Sequence, residues 1–419
     1  MLTKLLKNDF NRSVLTLVIG TSIAQAIPII ISPILTRLYS PEDLGVLSLF
    51  VAITSILGVV ANARYELAIV LPEKEEDAIN IAALAIIIAF VISSLLMITI
   101  IIFHEEVVKL LGNKDISFWL YFIPLVVFFT GLYNTLNYLN TRLKLFSTIS
   151  KVNIYKSLTT AIVQLTCGFF YFGSSGLILG QIASNLAANG KLAKDSFSKL
   201  EFREVIDRKA ILKMAKKYSD FPKYSLWAAL GNSLSNQVNN VLISTFFSIG
   251  VLGQYSLVQR MLGFPSTFIG NAIGQVFFQQ ASAEKIKKGN ASSTFNSTFK
   301  KLVLISIPSF GTLYIIIEPL TVFVFGANWA LAGEIAKILI PLFCIRFIVA
   351  PLTTINSIFE KQKVSMLWQL GLLILTLLIF AISYFYSLKI KTFFCFYTIA
   401  ISIYYIFLFF LLKKYSKGL

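Results

Sequence analysis

Ile81-Ala-Ala-Leu-Ala-Ile-Ile-Ile-Ala-Phe-Val-Ile-Ser-Ser-Leu-Leu-Met-Ile-Thr-Ile-Ile-Ile-Phe103 contains no charged residue. At a rise of about 1.5 Å per residue, a helix of this length crosses the roughly 30 Å hydrocarbon core of a bilayer. The rest of the chain is built in the same way. Hydrophobic residues make up 56% of it, charged residues 14%, and the mean hydropathy is +0.77. A soluble globular protein carries about 45–50% apolar and about 25% charged residues. A water-soluble fold of 419 residues could not bury this much apolar surface, so the bilayer must serve as solvent.

Apolar windows of spanning length fall near 13–36, 44–63, 81–103, 118–140, 154–173 and 176–193. They resume near 225–247, 252–278, 302–325, 336–358, 365–386 and 392–412. The expected fold is therefore an all-α integral membrane protein with about twelve transmembrane helices. With the N-terminus inside, 29 of the 37 Lys and Arg residues fall in or beside cytoplasmic segments, and six (Arg37, Lys109, Lys114, Lys337, Lys389 and Lys391) fall outside. Arg260 and Arg346 lie within spans. This bias places both termini in the cytoplasm. It also gives the net charge of +17 a topological meaning, so no nucleic-acid partner is expected. The segment Met1 to Arg12 is polar and basic, and the run after it is too long and too proline-rich for a cleavable signal core, so it reads as the first span. Cys167, Cys344 and Cys395 fall in apolar runs and read as buried thiols.

The two halves are related. Leu38-Tyr-Ser-Pro-Glu-Asp-Leu-Gly-Val-Leu-Ser-Leu49 aligns without gaps to Phe246-Phe-Ser-Ile-Gly-Val-Leu-Gly-Gln-Tyr-Ser-Leu257, matching at Ser40/Ser248, Leu44/Leu252, Gly45/Gly253, Ser48/Ser256 and Leu49/Leu257. Six helices per half make the repeat parallel. The expected organisation is an N-terminal lobe over 1–193, a basic cytoplasmic linker over 194–224 and a C-terminal lobe over 225–419. Such two-lobed repeats suit alternating access, with the substrate site between the lobes.

Several spans carry polar residues at helical spacing: Thr21, Gln25 and Ser32; Asn134, Asn137 and Thr141; Gln181, Asn185 and Asn189; Asn232, Asn236, Asn239 and Asn240; and Arg260, Thr267, Asn271 and Gln275. One such stripe alone reads as interhelical hydrogen bonding. Stripes concentrated in the first two spans of each half point instead to a water-filled cavity. A charge near the bilayer centre costs at least about 2.5–3.5 kcal/mol, so Arg260 and Arg346 are candidates to face that cavity. Arg37 and Arg64 sit at span ends, where interfacial anchoring competes with a cavity role. Carboxylates are nearly absent from the spans, with Glu66 and Glu318 at their edges. The cavity therefore reads as cationic and its substrate as an anion, with pyrophosphate a natural ligand for guanidinium groups.

Enzyme signatures are missing. There is no G-x-x-x-x-G-K-[ST] loop, and His104 is the only histidine, so no catalytic, metal or cofactor site is expected. Gly176-x-x-x-Gly180 and Gly270-x-x-x-Gly274 read as packing motifs.

The blocks Leu35-Thr-Arg-Leu-Tyr-Ser-Pro-Glu-Asp-Leu-Gly45 and Ala63-Arg-Tyr-Glu-Leu-Ala-Ile-Val-Leu-Pro72 resemble those of Wzx-type polysaccharide flippases. So do Asn137-Tyr-Leu-Asn-Thr-Arg142, Tyr218-Ser-Asp-Phe-Pro222 and Gly253-Gln-Tyr-Ser-Leu-Val-Gln-Arg260, followed by Pro265 and Gln275-Val-Phe-Phe278. The resemblance spans roughly 20–280. It implies the multidrug/oligosaccharidyl-lipid/polysaccharide exporter superfamily, two V-shaped lobes, and export of an undecaprenyl-pyrophosphate-linked oligosaccharide across the bacterial cytoplasmic membrane. Lipid II flippases of that superfamily hold pyrophosphate with an arginine on the eighth helix, and Arg260 occupies the similar place. Their arginine high in the first helix has no counterpart here, which leaves Arg37 and Arg64 as first-lobe candidates. The full candidate set is Arg260, Arg346, Arg37, Arg64, Gln25, Asn134, Asn236, Asn240, Asn271 and Gln275. The implied partners are the lipid-linked oligosaccharide and membrane lipids, with H+ or Na+ as candidate coupling ion and the polysaccharide polymerase machinery as candidate protein partner. The alternative within the same fold is a small-molecule or drug antiporter.

Overall fold

A computed structural model describes residues 9–198 and 205–418, without the side chains of residues 9–15, Phe197, Thr267, Phe268 and Asn271. The chain is helical, and the described residues contain no strand. Among the described residues, eight segments are long and apolar enough to cross a membrane: Thr16–Leu38, Pro41–Val60, Glu75–Ile102, Ser117–Arg142, Ser292–Phe325, Ala327–Ile358, Gln362–Phe385 and Ile390–Ser416. The other four expected windows also fall on long helical segments, which are more polar. In chain order the long helices are α1 (Asp9–Leu38), α2 (Pro41–Val60), α3 (Glu75–Ile102), α4 (Ile123–Arg142), α5 (Phe146–Phe169) and α6 (Ser174–Phe197). A short helix α7 (Arg208–Lys217) follows, then α8 (Leu226–Phe246), α9 (Ile249–Pro265), α10 (Asn271–Lys288), α11 (Ser292–Phe325), α12 (Ala330–Leu352), α13 (Gln362–Phe385) and α14 (Ile390–Ser416).

The repeat is visible in the helix boundaries. The first helix of each half ends at Leu38 and Phe246, and the second begins at Pro41 and Ile249. Both pairs keep the offset of the ungapped alignment, so Gly45 and Gly253 hold the same position in their helices. The first of these turns is set by local chemistry. The Ser40 hydroxyl accepts from the Asp43 amide at 3.1 Å, and the Asp43 carboxylate accepts from the Ser40 amide at 3.0 Å, with Pro41 at the first helical position. This capping box satisfies two amides that the helix start would otherwise leave unpaired.

The chain divides into two compact units, Met1–Ile249 and Gly250–Leu419. In the first of these, α8 lies along α2, and the Ser233 hydroxyl donates to the Ser55 carbonyl at 3.3 Å. The basic stretch 194–224 also contains structure. Asp207 caps α7 through the Ala210 amide at 3.0 Å. Ala210, Ile211, Met214, Ala215 and Tyr218 recur at helical spacing and turn inward, while the cations of α7 are exposed. Tyr65 donates to the Ala215 carbonyl at 2.9 Å, and the Asn80 amide donates to the Val205 carbonyl at 3.0 Å, so this part of the stretch is fixed to the N-terminal unit.

Polar residues hold helices together within each unit. Asn62 donates to the Ala85 carbonyl and the Thr135 hydroxyl, Asn140 to the Ser196 hydroxyl, and Asn189 to the Phe129 carbonyl. In the C-terminal unit, Gln254 donates to the Asn328 carbonyl at 2.8 Å and accepts from the Ala332 amide at 3.0 Å. Such bonds contribute about 0.6 kcal/mol each on average in membrane bundles. Asn189 therefore takes the interhelical role weighed for the sixth span, rather than lining a cavity.

Candidate cationic site and its cavity

In the C-terminal unit the eighth predicted span is one helical run with a π-helical stretch in its middle. α9 carries Arg260 and ends at Pro265, whose ring removes a backbone donor. Residues Ser266–Gly270 form a wide turn before α10 continues. Arg260 is partly buried, and no carboxylate among the described residues lies within ion-pairing distance of it. Three acidic side chains of this unit are engaged elsewhere. Glu318 pairs with Lys337 at 3.4 Å, and Glu334 with Lys391 at 2.9 Å. At the turn between α10 and α11, the Glu284 carboxylate accepts from the amides of Ser293 at 3.2 Å and Thr294 at 2.8 Å. Although burial opposes it, hydrogen bonding from Thr294 holds the Glu284 carboxyl below its ordinary range.

Arg346 sits in α12 in an aromatic setting. Its guanidinium lies over the Phe343 ring at 5.3 Å and the Tyr405 ring at 5.7 Å, with the hydroxyls of Tyr405, Tyr397 and Tyr255 in its surroundings. Cation–π contacts of this kind are worth about 2 kcal/mol when desolvated. Aromatic quadrupoles and phenol oxygens thus stand where a counter-ion would be.

A cavity of about 630 Å3 opens beside the π-helical stretch of the eighth span. Ser266, Gly270, Gly274, Gln275 and Phe278 line one wall, and Phe347, Ala350, Pro351, Thr353 and Thr354 the other. Gly270 and Gly274 face Pro351, where an added Cβ would meet it at 3.7 Å, so the expected packing motif brings α10 against α12. Of the sequence-based candidates, Gln275 lines this cavity, and the side chain of Asn271 lies outside the described residues.

The other candidates lie in the N-terminal unit. Arg64 takes a left-handed backbone conformation, with φ +67°, which turns it onto Glu66 at 3.3 Å. Glu66 is only 2% exposed; burial pushes its carboxyl up, against a backbone hydrogen bond and Arg64, which pull it down. Arg64 is therefore a paired charge and not an open one. Arg37 lies exposed in the last turn of α1, and Gln25 lies exposed on the same helix. Asn134 is partly buried on α4. On α8, Asn236 donates to the Asn232 carbonyl at 2.9 Å, and Asn240 to the Gln237 side chain at 2.9 Å.

Sequence reasoning missed Lys156, which it counted with a cytoplasmic loop. α5 begins at Phe146, so Lys156 lies ten residues into the helix with its ammonium 4.7 Å from the Tyr133 ring. The Tyr133 hydroxyl in turn donates to Asn153 at 2.8 Å. A helix-length reading of 146–169 would have flagged it.

This fold is shared with solved transporters. The chain is similar to the lipid II flippase MurJ in an inward closed conformation, with TM-score 0.71 and 15% identity, covering 95% of this chain and 87% of that one. It is similar also to an inward-facing multidrug resistance MATE family transporter of the MOP superfamily, with TM-score 0.63 and 13% identity, covering 94% and 97%. The succinoglycan biosynthesis transport protein ExoT of Rhizobium meliloti (strain 1021) is 22% identical over 314 residues, which are 73% of this chain. The chain spans 60% of that relative's length. Residues 34–333 match the polysaccharide biosynthesis protein family, and the chain, a multi-span membrane protein, belongs to it.

Proposed function

We propose that the chain is a flippase that carries an undecaprenyl-pyrophosphate-linked oligosaccharide repeat unit from the inner to the outer leaflet of the bacterial cytoplasmic membrane. It works by alternating access through a cationic cavity and catalyses no covalent step. The observation that carries this reading is Arg260, a guanidinium within a helix and without a carboxylate partner among the described residues. An anion that brings its own charge can compensate it, and guanidinium matches phosphate oxygens bidentately. The names of the relatives agree with such a substrate: one is a succinoglycan transport protein and one a lipid II flippase. The polyprenyl tail would stay in lipid while the polar head crosses. A membrane potential negative inside assists: two negative charges moved outward across 100 mV gain about 4–5 kcal/mol. H+ or Na+ remains the class of coupling ion to test.

Deletion of the gene should trap the pyrophosphate-linked saccharide in the inner leaflet, which lectin access to right-side-out and inverted vesicles measures. Equal access in deletion and wild-type vesicles, together with raised retention of a cationic dye in the deletion strain, would point to a drug antiporter instead.

Both termini lie in the cytoplasm in this reading. Cysteines placed at Lys213 and Lys288 should therefore resist an impermeant maleimide added to intact spheroplasts, and one at Asn113 should react. Labelling of Lys288→Cys from outside would reverse the orientation.

A further inference from the structure

The cavity beside the π-helical stretch has a lining unlike that of a charge-binding or a lipid-binding site. None of the described residues that line it is charged. Its volume of about 630 Å3 lies within the roughly 300–1,000 Å3 of small-molecule pockets. The Ser266 hydroxyl is buried without a hydrogen-bond partner among the described residues, so it offers both a donor and acceptor lone pairs. Gln275 presents an exposed amide, which adds two donors and an acceptor. Thr353 donates to the Ala350 carbonyl at 2.7 Å and Thr354 to the Pro351 carbonyl at 3.0 Å, which commits their protons and leaves their oxygens as acceptors. Phe278 and Phe347 supply apolar ring surface, and Gly270 and Gly274 keep one wall free of side chains.

A ligand that fits this set must donate and accept at several points, carry no charge and offer an apolar face. Polyols with ring C–H faces have those properties, whereas a prenyl chain would leave Ser266 and Gln275 unpaired and a phosphate would find no cation. We infer that this cavity is the saccharide seat of the transporter, taking a neutral hexose or N-acetylhexosamine of the cargo. Along the eighth span, Ser266 follows Arg260 by six residues, about 9 Å of helical rise. That is a separation which a pyrophosphate at Arg260 and the saccharide it carries can span on one molecule. This inference rests on the proposed function for the anion, but the cavity makes its own prediction.

The test uses the purified full chain in nanodiscs and two short-chain probes of equal charge: farnesyl-pyrophosphoryl-N-acetylglucosamine and the farnesyl-pyrophosphoryl methyl ester. The sugar probe should bind wild type about tenfold more tightly than the methyl ester, the yield of one or two net hydrogen bonds. At Gly274, which lines the cavity, an added Cβ meets Pro351 at an ordinary 3.7 Å, so Gly274→Leu places a bulky side chain at that wall. That variant should bind both probes equally, at the wild-type affinity for the methyl ester. Should it fail to fold, Ser266→Ala and Gln275→Leu keep the space and should each shrink the sugar advantage. Arg260→Ala should weaken both probes by a common factor and preserve their ratio. If Arg260→Ala leaves both affinities unchanged while the ratio persists, the pyrophosphate reading fails and the saccharide seat stands. Equal binding of both probes by wild type, or a sugar advantage that survives in Gly274→Leu and in Gln275→Leu, overturns the saccharide seat. So does a Gly274→Leu variant that loses affinity for the methyl ester, which would give the cavity to the prenyl chain.

Discussion

Arg260→Ala is expected to abolish export of the lipid-linked saccharide while the protein still inserts and folds. The guanidinium lies within α9 with no carboxylate near it among the described residues, and hydrocarbon cannot stabilise it. In the empty transporter, water in a cavity or a snorkelled pose must carry the charge. When a pyrophosphate enters, two parallel charge-assisted bonds replace that hydration. Bonds to charged groups contribute about 1.5–3 kcal/mol each, so losing two costs about 10²–10⁴-fold in affinity. Arg260→Lys keeps the charge but not the fork, and partial transport is expected. The measurement is exported saccharide per folded transporter, taken from surface polysaccharide and from the monodisperse fraction in detergent. A purely structural arginine gives the opposite pattern: Arg260→Ala lowers the folded fraction, and each surviving molecule transports normally. That pattern would remove Arg260 from the substrate site.

What could be read from the sequence was what depends on composition and local chemistry. Uncharged apolar runs specify helices because each backbone group must be satisfied within its own segment in lipid. The turn at Tyr39 and Ser40 was legible as the gap between the first two apolar windows, and the structure closes it with the Ser40–Asp43 capping box. The repeat was legible too, as an offset carried by the turn. Arg64 was not legible. Its pairing with Glu66 depends on Ala63 and Arg64 both adopting positive φ, at 47° and 67°, which helical periodicity cannot anticipate. Nor was the placing of α8 with the N-terminal unit, since its contacts with α2 join residues far apart in the chain. Arg346 was legible as a buried charge, but not its aromatic surroundings, since Tyr255 and Tyr405 reach it from α9 and α14.

Three of the blocks that carried the family resemblance meet in space, and this makes Arg142→Ala the mutation with the largest expected structural effect. Arg142 ends α4 and donates to four carbonyls of the connection between α2 and α3: Ile69 at 3.2 Å, Pro72 at 2.7 Å, Glu73 at 3.3 Å and Lys74 at 3.2 Å. That connection also holds the left-handed Ala63 and Arg64 and the buried Glu66. Tyr65 from the same connection bonds α7, whose end brings Tyr218 and Phe221 onto the cluster that contains Ile69 and Leu139. Blocks 63–72, 137–142 and 218–222 are thus parts of one assembly, with the Arg142 fork at its rim. Strained backbone of this kind costs about 1–3 kcal/mol per residue and persists only where its surroundings hold it. The Glu73 and Lys74 carbonyls are exposed, so water replaces those two bonds at little cost. Loss of the bonds to Ile69 and Pro72 is expected to cost about 2–4 kcal/mol. Arg142→Lys, with a single ammonium, should recover only part of it. Trypsin added to inverted vesicles reads the change directly, because opening of the connection exposes cleavage after Arg64 and Lys74. Cleavage there should speed up about 30-fold or more in Arg142→Ala, the factor that 2 kcal/mol of local opening supplies. An unchanged cleavage rate in a variant with lost transport would show that Arg142 does not hold this connection closed, and would place its role with the cargo instead.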